Sequence, residues 1–192
     1  MNMRRFLPLA LALAPVACSG PAPGAAPLEG ARIGGPWTLV NQDGRTVSDR
    51  DFAGKYRIMY FGYTFCPDVC PTDVQNIAAG LRLLAEEKPD VAARVQPIFV
   101  TVDPARDTPA AVKQFVRAFS PTMTGLTGTP EAIGRTAKAY GIYYARGQGT
   151  AGGYLVDHSR QIYLMSPDNK PIALLPEGPP RAIADEVAKW VR

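Results

Sequence analysis

Tyr56-Arg57-Ile58-Met59-Tyr60-Phe61-Gly62-Tyr63-Thr64-Phe65-Cys66-Pro67-Asp68-Val69-Cys70-Pro71 is the stretch on which the fold turns. Its first half, Tyr56 to Tyr63, is apolar at both even and odd positions, the pattern of a central strand covered on each side. Its second half holds two of the chain's three cysteines. Both sulfurs therefore fall where a buried strand ends, the place at which open α/β sheets gather ligands. Pro71 is well placed for a helix start, and Val74, Ile77, Leu81 and Leu84 repeat at helical spacing to about Glu87.

On the N-terminal side, Trp37 to Val40 and Arg45 to Val47 flank Asn41-Gln42-Asp43-Gly44, and Asp-Gly between two such runs predicts a β-hairpin. On the C-terminal side, Val95 to Val102 is a second buried strand. Thr108-Pro109 and Thr129-Pro130 each read as an N-cap followed by proline at the first helical position, opening helices to Phe119 and Tyr140. Ile142 to Ala145, Gln161 to Met165 and Pro171 to Leu175 are strand candidates, the last two joined by a Pro167-Asp168-Asn169-Lys170 turn. Gly147 to Gly153 reads as a mobile loop, and Pro180 to Val191 as a closing helix. A hairpin, two β-α units, an antiparallel pair and a terminal helix make an α/β, thioredoxin-like pattern with an N-terminal β-hairpin extension.

The chain has 192 residues and a formal net charge of +4. Met1 to Arg5 carries two positive charges, and the apolar Phe6 to Ala17 is too short to span a bilayer as a relaxed helix, which suits an export signal over residues 1–17. Pro8 and Pro15 argue against a core helix there. Ala17-Cys18 resembles a lipoprotein cleavage site, with Pro15 in place of the usual leucine, so Cys18 is the candidate lipidation residue and residues 18–32 the flexible tether. The domain proper then covers 33–192, is exported to the periplasmic side of the cell membrane, and is held there by lipid. No long basic run appears, and the aromatics fall at core positions, which excludes a nucleic-acid surface.

Cys66 and Cys70 are spaced C-x-x-x-C, and His158 is the only histidine. Thiolate and imidazole together suit copper or zinc, and two thiols can also store two electrons as a disulfide. Four residues of helix rise about 6 Å, which leaves both a shared metal and a disulfide open. At a helix N-terminus the positive end of the dipole favours thiolate. Asp157-His158-Ser159 occupies the loop that, in a thioredoxin-like sheet, faces the first β-α turn. Asp157 and Asp103 are candidate weak ligands or supports for the site, with turn and cap roles as the alternative, and Asp68 is either a partner contact or a solvated carboxylate.

Gly62 to Pro71, Thr101-Val102-Asp103-Pro104-Ala105-Arg106-Asp107-Thr108, Tyr140-Gly141-Ile142-Tyr143-Tyr144 and Val156-Asp157-His158-Ser159, in this order, resemble the Sco/SenC family of copper-binding assembly proteins. The resemblance implies copper, as Cu(I) or Cu(II), bound by Cys66, Cys70 and His158. It implies a partner in the copper A domain of cytochrome c oxidase subunit II, either supplied with copper or reduced at its cysteines. Other copper chaperones or thiol reductants are further partners, and a monomer is expected. A copper metallochaperone that is not an enzyme is the first expectation, and a thiol-disulfide oxidoreductase the alternative. The C-x-x-x-C spacing and the lack of a proline opposite the cysteines argue against the alternative. A peroxiredoxin-like peroxidase ranks third, because Thr64-Phe65-Cys66 falls one residue short of a Thr-x-x-Cys motif. A copper sensor is a further reading.

Overall fold

Asp-Gly closes the first hairpin through a glycine in the left-handed region, Gly44 at φ 77°. Asn41 Oδ1 accepts from the amides of Asp43 and Arg45 at 3.0 and 2.9 Å, so β1 (Thr38–Asn41) meets β2 (Thr46–Ser48) with Leu39 opposite Val47. In this computed structural model, which describes residues 24–150 and 153–192, a 3₁₀ turn at Asp49–Phe52 leads into β3 (Tyr56–Gly62). Then follow α1 (Val69–Glu87), α2 (Pro89–Ala92), β4 (Val95–Thr101), α3 (Pro109–Phe119), β5 (Thr124–Thr127) and α4 (Pro130–Ala139). The chain ends with β6 (Tyr144–Thr150), β7 (Gly153–His158), β8 (Ile162–Met165), β9 (Pro171–Leu175) and α5 (Pro180–Trp190). Thr108 and Thr129 cap α3 and α4 as their sequence cues require, accepting from the amides of Ala111 and Ala132 at 3.2 Å.

Seven strands form one sheet in the order β2-β1-β5-β4-β3-β8-β9. β3, β4 and β5 run parallel, joined by α1 and α3, while β1 and β8 pair antiparallel on either side of them. This is the thioredoxin-like arrangement, and the N-terminal hairpin continues it through Val40 opposite Thr127. Alternate residues of β3 meet different layers, as strand geometry demands. Tyr60 donates to Asp73 of α1, whereas Phe61 packs on Tyr140 with ring centroids 5.2 Å apart. β3 is thus covered on both faces, which explains its unbroken apolar run: Ile58, Met59, Tyr60 and Phe61 are all buried.

Several elements differ from the sequence reading. α1 starts at Val69, so Cys70 lies inside its first turn, and Pro71 still occupies a position where the missing N–H has no intrahelical partner to lose. β5 is a buried strand of four residues, Thr-Gly-Leu-Thr, too short and too polar to stand out by periodicity. Within the stretch read as a loop, Gly147 to Thr150 belong to β6 and Gly153 opens β7; the two strands pair antiparallel, separate from the main sheet, with a register shift between Arg146 and Gly149. Ala26, Leu28 and Ile33 pack against the core, and the Leu28 amide donates to Ile172 O at 2.9 Å. Of these, Ala26 and Leu28 fall within the stretch 18–32 read as a tether. The export signal over 1–17 and Cys18 lie outside the described residues.

Candidate metal centre

β3 ends at Gly62 because the chain must turn away with a sulfur close against it. A Cβ built on Gly62 would stand 3.0 Å from Cys70 Sγ, 3.0 Å from the Tyr60 ring and 3.2 Å from the Phe99 ring. The following loop is pinned by a buried carboxylate: Asp107 accepts from Thr64 N at 2.9 Å, Thr64 Oγ1 at 2.6 Å and Thr101 Oγ1 at 2.6 Å. Burial raises the Asp107 pKa, with these hydrogen bonds opposing the shift. Cys66 follows half-buried, and Cys70 is completely buried; both are free thiols. The Cys70 amide donates to Cys66 Sγ at 3.4 Å, the first turn of α1 giving one of its unpaired N–H groups to a sulfur.

His158, the last residue of β7, completes the group. Its Nε2 lies 3.1 Å from Cys70 Sγ, and its Nδ1 lies 2.8 Å from Ser159 O. A carbonyl can only accept, so Nδ1 carries the proton and Nε2 presents its lone pair to the thiol, the tautomer a metal ligand needs. Burial lowers the imidazole pKa and favours this neutral form. The rings of Tyr60 and Tyr63 stand edge-on to it, at 6.4 and 5.9 Å between centroids. One donor atom from each of Cys66, Cys70 and His158 falls within 4.8 Å of the other two, and among the described residues no carboxylate joins this cluster. Two sulfurs and one imidazole nitrogen form a soft set, fitted to Cu(I) or zinc far better than to magnesium or calcium.

Two expectations change on this geometry. The helix start does not leave Cys70 as a thiolate: burial pushes its pKa up, so the metal-free site holds a thiol that donates to His158 Nε2. Asp103 and Asp157 are not brought into the donor cluster. Asp103, buried, is occupied by Arg106 Nε at 2.5 Å and by Tyr154 Oη at 2.8 Å, and Asp157 is exposed on β7, one residue out of step with His158 and so on the opposite face. Asp68 is exposed at the N-cap of α1.

Sequence reasoning missed Asp73 and Arg160. Asp73, 2% exposed and one turn after Cys70, accepts from Tyr60 Oη at 3.0 Å and from Arg160 Nε and Nη2 at 3.1 and 2.8 Å. It also missed that Tyr154 lies between the guanidinium groups of Arg106 and Arg146, each 3.7 Å from its ring centroid. Phe65 and Leu155, exposed, flank the cleft beside this stack.

The family described as SCO1/SenC matches residues 25–192. Protein SenC of Rhodobacter capsulatus is 50% identical over 137 residues, which is 71% of this chain and 60% of that protein. The chain therefore spans less than two thirds of that relative's length. Among solved structures, copper-bound ScoI of Arabidopsis thaliana is similar with a TM-score of 0.77 and 38% identity, covering 82% of this chain and 97% of that one. Copper-bound ScoI of Bradyrhizobium japonicum is similar with a TM-score of 0.74 and 36% identity, covering 82% and 99%.

Proposed function

The chain belongs to the SCO1/SenC family, and from that membership we propose that it is a copper carrier serving assembly of the copper A centre of cytochrome c oxidase. One observation carries the reading. The donor atoms of Cys66, Cys70 and His158 lie within 4.8 Å of one another, with the Nε2 lone pair turned toward Cys70 Sγ. Two thiolates and an imidazole make a trigonal set for Cu(I), while Cu(II) draws more on the nitrogen and takes a further oxygen or nitrogen donor. Loading releases the Cys70 proton, since the thiol must become thiolate to bind. Transfer proceeds by ligand exchange with a docked partner that offers thiolates and imidazoles of its own. The domain acts as a monomer on the periplasmic side of the membrane, tethered through a lipid on Cys18.

A second reading, thiol-disulfide oxidoreductase, draws support from the free thiols of Cys66 and Cys70 and the half-exposure of Cys66. Its step is balanced: the two thiols become a disulfide as an acceptor disulfide takes two electrons and two protons. Copper titration of the reduced domain, followed by mixing with an apo copper A domain, separates the two. One copper bound per chain, lost in Cys66→Ser and passed to the acceptor, is the expected result. Vigorous reduction of unrelated disulfides without copper transfer would reverse the order.

A further inference from the structure

His158 is carried by a strand that, among the described residues, no backbone ladder joins to the main sheet, since β7 pairs with β6 and those two strands form a sheet of their own. A lone two-stranded hairpin is marginally stable in water. Side chains must therefore set where the imidazole stands relative to the cysteines. At the far end of β7 the Tyr154 ring stacks on Arg106 and its hydroxyl donates to Asp103. At the near end, two residues after His158, Arg160 reaches α1 and forms a two-pronged ion pair with Asp73.

The placement of that pair is specific to the site. Asp73 stands three residues after Cys70 on the same buried side of α1, with both residues at 2% exposure or less. The Asp73 to Arg160 bridge thus runs alongside the 3.1 Å contact of Cys70 with His158, and joins the same two chain segments. Asp73 is also tied to β3 by Tyr60 Oη, so the anchor is held by a third element. Arg160 has a second, exposed partner in Glu177 at 3.2 Å.

We propose that the Asp73–Arg160 ion pair is a latch that holds His158 Nε2 against Cys70, assembling the three donors before a metal arrives. Asp73 and Arg160 are positioning residues that act through His158. The proposal rests on the three-donor reading above and deepens it: the latch keeps the nitrogen in place, so its loss falls most heavily on Cu(II).

Because the chain has one histidine, its ring signals are unambiguous in a nitrogen-15-labelled sample. Long-range nitrogen-proton spectra of the reduced, metal-free protein should show a single Nδ1–H tautomer in the parent. In the double variant Asp73→Asn with Arg160→Leu, which leaves no buried charge unpaired, the Nε2 resonance should move toward that of an imidazole without a thiol donor, while Ser159 O still holds the proton on Nδ1. With the nitrogen no longer held in place, Cu(II) affinity in the same variant should fall by about 10-fold, the low end of the loss seen when a group bonded directly to a metal ligand is removed. Glu177→Gln should match the parent in both measurements. If the double variant does not fold, Arg160→Lys keeps the charge opposite Asp73 but removes the fork, and should show the same changes in weaker form. A parent-like histidine spectrum in the folded double variant, or in Arg160→Lys where that is the variant read, overturns the latch. So does a Glu177→Gln effect as large as the double variant's. Should the parent bind no copper, the carrier reading fails while the metal-free spectra still decide the latch.

Discussion

Raising the pH from 8 to 10 should destabilise the reduced, metal-free protein by about 2 kcal/mol more than it destabilises Cys70→Ala. Cys70 is fully buried, and desolvation pushes its thiol far above the ordinary range. In the unfolded chain a thiol titrates at about 8.5, and each further pH unit is worth about 1.4 kcal/mol. Above that value the unfolded state releases a proton that the folded state keeps. The unfolded state then binds fewer protons, so stability falls as pH rises. Urea unfolding at pH 7, 8, 9 and 10, with a reductant and a chelator present, measures the effect as the difference between the two curves. Taking that difference removes the other titrating groups common to both proteins. Parallel curves would refute the buried neutral thiol. A parent that gains on the variant with rising pH would show the opposite arrangement, a thiolate paired with an imidazolium. On the acid side burial lowers the His158 pKa, so the unfolded state takes up a proton first and stability falls as pH drops below about 6.5.

His158→Ala should keep some Cu(I) on the two thiols and lose most stable Cu(II), because Cu(II) depends more on the nitrogen donor; an unchanged Cu(II) absorption spectrum would remove His158 from the ligand set. Gly62→Ala puts a methyl 3.0 Å from Cys70 Sγ and from the Tyr60 ring, and should cost about 1–3 kcal/mol in urea unfolding through overpacking. An unshifted midpoint in that variant would mean the strand end yields freely. Oxidising Cys66 and Cys70 to an intramolecular disulfide should exclude copper, since sulfurs bonded to each other are no longer thiolates; titration of the oxidised protein with equal tightness would contradict this.

The main sheet was legible wherever a local signal and the burial pattern agreed. β3 announced itself by apolar residues on both faces, and α3 and α4 by threonine caps followed by proline, whose predicted hydrogen bonds are present. The β6–β7 hairpin was not legible, because its strands are rich in glycine and polar residues and bury little: in β7 only Val156 is buried. β7 does turn Tyr154, Val156 and His158 inward, but the exposed Leu155 between them breaks the apolar alternation a sequence reading needs. Pairing fixed those residues, and pairing is a property of two segments at once.

Residue chemistry singled out the two cysteines and the lone histidine, but the Sco/SenC resemblance was what implied that His158, far from the cysteines in sequence, joins them in one ligand set. The residues that aim them were not legible. Asp73 nevertheless left a trace, for it lies on the stripe of α1 that carries Cys70, Val74 and Ile77, all buried in the fold. A carboxylate on such a stripe cannot stay both charged and unpaired, so its position alone requires a partner. With 21 lysines and arginines in the chain, the helix pattern could not say which of them it is. Only the topology, which sets the start of α1 beside the link between β7 and β8, selects Arg160, 87 residues away. The same placement puts the imidazole on the thiol, and so one long-range juxtaposition creates both the candidate site and the ion pair that steadies it.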